Sequence, residues 1–386
     1  MKRLLRASFL LTAGLLVVAS GIAVAQTPPL YTKWVNYTTA NGMPKGEDYS
    51  LAVNGNQIWA GTENGLVLIE NGRVRKVFTT ADGLAGQAVL AVAVDKQTGE
   101  VWAGTFGGLS RFSGGQFRSY TNLNSGLAND LVYAVAIQGK YVWAATAGGF
   151  SRLNTYTGEW KIFNNQNSPF TEPWGYGIAV GSKKVYLALW GGGVEVYDIA
   201  QHYWRPYTDP DDSFEIVLYR NQGLISMMVS SIAYNPEAKM FWAGTYFGLS
   251  GYDGRNWHNY LTKDSGLASN FVNGVKTQGD IVWVSTQKGL CEFNYKTNTW
   301  VTYRPADWRA LDTAKPDKAH RGEILITRPD GKKTRMETPT SLPHNYVLNV
   351  AFQGNTIWVA TADGVSHGFR QPNKEEQHNE SATNRR

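Results

Sequence analysis

The sequence predicts an all-β fold: a seven-bladed β-propeller of four-stranded antiparallel blades, its ring closed by the N-terminal strand completing the last blade. Three observations predict it. A tryptophan-centred phrase recurs seven times, the composition suits short strands and tight turns, and the strand missing from the last repeat is found at the other end of the chain.

The phrase is an apolar strand ending in Trp, two small residues and Thr, followed by a short turn and Gly-Leu. It occurs as Ile58-Trp59-Ala60-Gly61-Thr62 with Gly65-Leu66, and as Val101-Trp102-Ala103-Gly104-Thr105 with Gly108-Leu109. Val142 to Thr146 with Gly149-Phe150 is a third copy, and Val185 to Leu189 with Gly193-Val194 is a degenerate fourth. Phe241 to Thr245, Val282 to Thr286 and Ile357 to Thr361 complete the seven. Between uninterrupted units the spacing is 41 to 43 residues, the length of a four-stranded propeller blade.

Each unit reads as four strands. Strand a is an alternating run such as Val132 to Ile137, and strand b is the Trp phrase. Strand c follows the Gly-Leu, and strand d carries an aromatic or apolar pair three residues apart, such as Phe117/Tyr120 or Trp300/Tyr303. Alternation sends side chains to both faces of a blade, and both faces pack on neighbouring blades. The seventh unit runs out near Phe369 without a strand d. Trp34-Val35-Asn36-Tyr37 followed by Gly42 supplies it, and closure removes the exposed sheet edges of an open stack.

Composition agrees. Among 386 residues there are 41 Gly, 14 Trp, 20 Tyr and 15 Phe, and charged residues make up 18%, below the ~25% of an average globular chain. Residues 1–25 read as a Sec-type signal peptide: basic Lys2, Arg3 and Arg6, an apolar stretch from Phe9 to Val18, and Ala23-Val24-Ala25 before the cleavage point. Residues 26–369 form the propeller, with no later membrane span, and 370–386 read as a disordered polar tail. Loss of the three basic residues lowers the net charge from +6 to +3, too little to suggest nucleic acid. Export to the periplasm or beyond is the expected localisation.

Gly126-Leu127-Ala128-Asn129-Asp130-Leu131-Val132, with Val142 to Thr146 and Gly149-Phe150, resembles the two-component regulator propeller repeat. Gly266-Leu267-Ala268-Ser269-Asn270-Phe271-Val272 with Val282 to Leu290 does so too. The resemblance covers nearly all of residues 26–369. It implies a propeller that senses an extracytoplasmic ligand, as in hybrid histidine kinases whose two propellers precede a membrane span and kinase modules. With one propeller and no kinase segment here, the resemblance implies only the binding role of the propeller.

In a propeller the b–c turns and the d–a connections emerge on one face. The b–c turns here present Glu63, Phe106, Trp190, Tyr246, Phe247, Lys288 and Asp363, a candidate mouth of aromatic and polar groups for a flat sugar, a peptide or an aromatic ligand. The turn residues are equally open to a plain structural role. Two d–a connections are long. Residues 208–224 carry Asp209, Asp211, Asp212 and Glu215, and residues 305–343 carry Arg309, Lys315, Lys318 and Arg321 among others, with a hairpin expected about Pro329-Asp330-Gly331. Both insertions are expected on the mouth face. Gln87, Asp130, Glu172, Asn270 and Asn345, entering strand a, are expected to cap turns.

Strong catalytic signatures are absent. His202, His258, His320, His344, His367 and His378 never pair at metal-ligand spacing, Asp209 to Asp212 lack the Gly and distal Glu of a calcium loop, and single Cys291 offers neither disulfide nor thiolate site. No cofactor or metal is expected. The leading reading is a binding, sensor or scaffold propeller recognising a protein partner or small ligand. Alternatives are a glycan-active enzyme, with Tyr246 beside Lys288 or Glu63 as base and neutraliser, and a structural subunit of an envelope complex.

Overall fold

Strand a of blade 1, Asp48–Asn54, begins a meander that continues outward through Gln57–Thr62 (b), Gly65–Glu70 (c) and Arg73–Phe78 (d). The computed structural model describes residues 29–212, 219–309 and 321–370, and within these the pattern repeats as seven antiparallel sheets. The later strands a are Val89–Val94, Val132–Gln138, Gly175–Val180, Val229–Asn235, Val272–Gln278 and Val347–Gln353. Each contacts the strand a of the next blade, and together they line a central channel.

The ring closes as the sequence predicts. Tyr31–Tyr37 pairs antiparallel with Gly364–Arg370, strand c of blade 7, with Trp34 opposite Gly368. Trp34 needs that glycine: a Cβ on Gly368 would lie 2.5 Å from the indole ring. Strand c runs to Arg370, one residue past the boundary read from the sequence. The leader and the tail beyond Arg370 lie outside the described residues.

The recurring phrase divides its labour. The Trp side chains of strand b are buried between adjacent blades; Trp102, for example, packs in one cluster with Leu127, Val132 and Leu153 of blade 3. Each such burial contributes roughly 1.5–3 kcal/mol. The Thr closes the b–c turn. Thr62 Oγ1 donates to the Gly65 carbonyl at 2.9 Å and accepts from the Asn64 N–H at 3.1 Å, and Thr105, Thr146, Thr245, Thr286 and Thr361 do the same. Gly65 follows at φ +122°, where a Cβ would meet the Phe78 carbonyl at 2.5 Å. Blade 4 has Leu189 in place of Thr, and its turn is held by the Met227 carbonyl, which accepts from Gly191 and Gly193.

Blade 6 corrects the expectation of four strands throughout. The hairpin of the 305–343 insertion, Gly322–Thr327 and Lys333–Thr338, hydrogen-bonds onto strand d, Thr299–Pro305, making a six-stranded sheet. This hairpin therefore extends the blade radially outward instead of covering the mouth. Buried Glu323 pins it, accepting from Arg304 Nε at 2.8 Å and pairing with Arg335.

Candidate functional site

In all seven blades the a–b pairing shifts between the first and third residues of strand a. Such a bulge frees one residue from the ladder and re-aims its side chain. The seven freed residues are Tyr49, Leu90, Tyr133, Tyr176, Ser230, Asn273 and Leu348, and all line the channel's upper cavity of about 250 Å³. Simple period-two alternation does not single them out. The sequence signal is a large or polar residue wedged between the first residue of strand a and a small one, as in Val132-Tyr133-Ala134 or Gly175-Tyr176-Gly177.

Two of these residues, Tyr133 and Tyr176, join aromatics of the turns above them. Tyr133 stacks on Tyr176 at 4.6 Å between ring centroids, and Tyr176 stacks on Trp190 at 4.9 Å. Trp190 meets Tyr246 edge-on at 4.4 Å, and Tyr246 meets Phe271 at 4.0 Å. Phe106 flanks Tyr133 at 6.5 Å, and Trp174 flanks both tyrosines. The result is a continuous aromatic arc on blades 2 to 6. Its outer members stay open, Phe106 at 50% exposure and Trp174 at 40%. Burial pushes the Tyr176 phenol to about 12 and raises that of Tyr246, so both rings are neutral stacking surfaces and Tyr246 is poorly suited to be a base.

The blade 1 side of the mouth is acidic. The Glu63 N–H donates to the Glu47 carbonyl at 2.9 Å. Burial, and then the charge of Glu63, raise the Glu47 carboxyl above its ordinary value. Asp48 occupies the first position of strand a, which is Val in five other blades and Gly in blade 4. It is 1% exposed, and its Oδ1 has no partner among the described residues. Burial pushes its pKa well up, against a hydrogen bond from the Gly364 N–H and with repulsion from Asp363 and Glu47. Tyr49 rises to about 12 through burial and the neighbouring carboxylates. Glu47, Asp48 and the bulge tyrosines escaped the sequence reading.

Of the residues read from the sequence, Phe106, Trp190 and Tyr246 belong to the aromatic arc and Glu63 stands beside Glu47 on the blade 1 side. Phe247, Lys288 and Asp363 also stand in b–c turns, where their N–H groups donate to the turn threonines at 3.0 to 3.2 Å. The strand-a entry residues stitch turns together: Asp130 accepts from the Asn122 N–H, Asn270 from that of Thr262, Gln87 donates to Asn64, and Asn345 to the Gln287 carbonyl.

Of the insertions, Asp209 is buried and raised to about 6, chiefly by burial, and its Oδ1 accepts from the Asp211 N–H at 3.2 Å. Asp212 sits at φ +49° in the same turn. Arg309 lies at 4.6 Å over Trp308, and Arg321 pairs with Glu337 at 3.5 Å, both beside the outermost strands of blade 6. Glu215, Lys315, Lys318, His320 and His378 lie outside the described residues. Among the described residues no group of three His, Cys, Asp or Glu is placed to hold a metal, and no helix is long and apolar enough to cross a membrane. Cys291 is buried and raised to about 11 by that burial. It accepts from the Ala268 N–H as Ser110 and Ser151 accept from Ala85 and Ala128, so it acts as a serine surrogate.

No protein-family model matches the chain, and no curated protein matches it. Solved structures do. The extracellular domain of a protein described as a hybrid two component system, BT3049 from B. thetaiotaomicron, superposes with a TM-score of 0.65 at 16% identity. The match covers 89% of this chain and 42% of that one, so this chain spans about two fifths of that domain's length. Virginiamycin B lyase from Staphylococcus aureus gives 0.59 at 11% identity, covering 88% of this chain and 99% of the lyase. PorZ of Porphyromonas gingivalis, a surface component of the type-IX secretion system, gives 0.50 at 12%, covering 88% and 39%. These likenesses establish the seven-bladed fold alone.

Proposed function

We propose that this chain is an exported binding propeller that captures a ligand at its mouth, as a sensor or recognition module. The observation that carries this reading is the arc from Phe106 through Tyr133, Tyr176, Trp190 and Tyr246 to Phe271. Six rings contributed by separate turns and bulges are not needed to close turns, and they leave open faces beside a cavity. Facing them, Glu47, Glu63 and Asp363 supply acceptors. Aromatic faces with carboxylates suit a sugar, which stacks its apolar face and donates its hydroxyls, or a peptide with aromatic or cationic side chains. The leader-like N-terminus, the resemblance to the two-component regulator propeller repeat and the likeness to an extracellular sensor domain support export and sensing.

Titrating the protein with oligosaccharide and peptide panels while following tryptophan fluorescence tests this. Binding by one class, weakened by Trp190→Ala and Tyr176→Ala, supports the proposal. Failure of both panels to bind, or binding indifferent to both substitutions, overturns it.

A second reading, a lyase or other enzyme, is favoured by the likeness to virginiamycin B lyase over that protein's whole length and by raised carboxyls at Glu47 and Asp48, a setting for general acid chemistry. Product formation from the bound panel member, abolished by Glu47→Gln, would favour it over pure binding.

A further inference from the structure

Strand a carries two further seven-fold rings below the bulge residues, and each ring has one departure. At the position paired with the strand b Trp, or with Tyr186 in blade 4, six blades have Ala: Ala52, Ala93, Ala136, Ala179, Ala233 and Ala351. Blade 6 has Lys276 there, paired with Trp283. One level nearer the mouth, opposite the small residues of strand b, stand Ser50, Ala91, Ala134, Gly177, Ser231 and Gly274, and in blade 7 Asn349. The two departures lie on neighbouring blades.

The alanines line only the lower channel cavity, of about 450 Å³, whereas Lys276 lines both that cavity and the upper one. It therefore spans from the level of the alanine ring into the upper cavity, which the alanines do not reach. The residue is exposed to the channel solvent, and the density of protein around the channel lowers its pKa by desolvation. Its ammonium has no ion pair or hydrogen bond among the described residues. Neither cavity is lined by an acidic side chain. Asn349 also lines the upper cavity, and its Oδ1 is buried without a partner. Lys276, whose ammonium faces channel solvent with no anion, and Asn349, whose amide oxygen lacks a donor, thus line one small volume. Leaving the buried amide oxygen unpaired is costly, and small residues would satisfy the fold, as they do in the other blades.

We propose that the central channel is a binding site for a small hydroxy acid, whose carboxylate pairs with Lys276 and whose hydroxyl donates to Asn349. A charge-assisted pair supplies most of the affinity, and the hydroxyl supplies the selectivity. The site is separate from the aromatic arc and does not depend on the reading of the mouth.

The test is ligand-observed NMR titration of the whole protein with glycolate, acetate and inorganic phosphate at neutral pH and fixed ionic strength. Glycolate should bind, acetate more weakly. Lys276→Met should weaken glycolate at least about tenfold, and Asn349→Ser should bring glycolate down to the level of acetate. Ala at the position of Lys276 and Ser at that of Asn349 are what sister blades carry, so Lys276→Ala and Asn349→Ser provide folded variants. Absence of carboxylate binding, binding unchanged by Lys276→Met, or phosphate binding as tightly as glycolate through the same lysine would each overturn the proposal.

Discussion

Arg370 donates to Glu292 Oε1 at 3.0 Å, joining strand c of blade 7 to strand c of blade 6 across 78 residues of sequence. Tyr303 Oη donates to the other oxygen at 2.8 Å, and the guanidinium lies 4.6 Å above the ring of Tyr31, in the strand that closes the ring. Burial raises the Glu292 carboxyl despite its partners, so its charge depends on them. Glu292→Ala leaves the partly buried Arg370 without its carboxylate and the buried Tyr303 hydroxyl without its acceptor, and should cost ~2–3 kcal/mol in urea unfolding. The double variant Glu292→Gln with Arg370→Met should recover most of that loss. Equal losses in the single and double variants would contradict the pairing.

Ring closure itself rests on Trp34. It is buried against Tyr31 and Tyr303, at 5.9 Å from each, and its backbone N–H donates across the junction to Thr340 Oγ1 at 2.9 Å. Trp34→Ala should lower stability by ~3–5 kcal/mol. Protease digestion should then cut first in the released N-terminal strand.

The blades were legible because a Trp-to-Thr phrase must recur wherever a blade packs and a b–c turn closes. Ring closure was legible because Trp34 and Tyr37 have the spacing of strand d. The hairpin about Pro329-Asp330-Gly331 was legible from its turn, but not its attachment to Thr299–Pro305, since pairing with a sheet edge is a non-local choice. The mouth was half legible. Trp190 and Tyr246 stand in turns where large rings are conspicuous, whereas Tyr133 and Tyr176 sit in alternating strands, and the bulge that redirects them changes the phase by a single residue. Asp48 stood out only once the blades were aligned by register and its counterparts proved to be Val or Gly.

Glu195 makes stability depend on pH. It stands in strand c of blade 4 where Ser110, Ser151, Ser250 and Ser366 stand in other blades. It is 3% exposed, its Oε2 has no partner among the described residues, and burial raises its pKa to about 7. The folded state holds a proton that the unfolded state has lost above the ordinary carboxyl value of 4.5. Its favourable contribution is complete below that value and disappears as pH rises towards 7. Glu195→Gln should therefore flatten the decline between pH 4.5 and 7, by up to roughly 3 kcal/mol at 1.36 kcal/mol per unit. Thermal melts across that range check it, and parallel profiles for both proteins would exclude the assignment.

Phe106 separates binding from folding. Half exposed and touching only Tyr133 among the arc, it should tolerate Phe106→Ala with a stability change within ~0.5 kcal/mol. Loss of one stacking face should still weaken mouth binding several-fold in the fluorescence titration. A fall in melting temperature matching the fall in affinity would mark Phe106 as a packing residue instead.

Lys276 should be a liability to the empty fold. Its surroundings lower its pKa, so the folded state holds its proton less tightly than the unfolded state does. That penalty is complete below the folded-state pKa and falls away as pH rises towards the ordinary lysine value of 10.5. Lys276→Met keeps the length of the stem and removes the charge. It should raise the melting temperature at pH 7, and raise it by less at about pH 10. Added glycolate should raise the melting temperature of the native protein and leave that of the variant unmoved, because a ligand stabilises only the state that binds it. A variant less stable than the native protein at both pH values would mean that the ammonium is already satisfied where it stands.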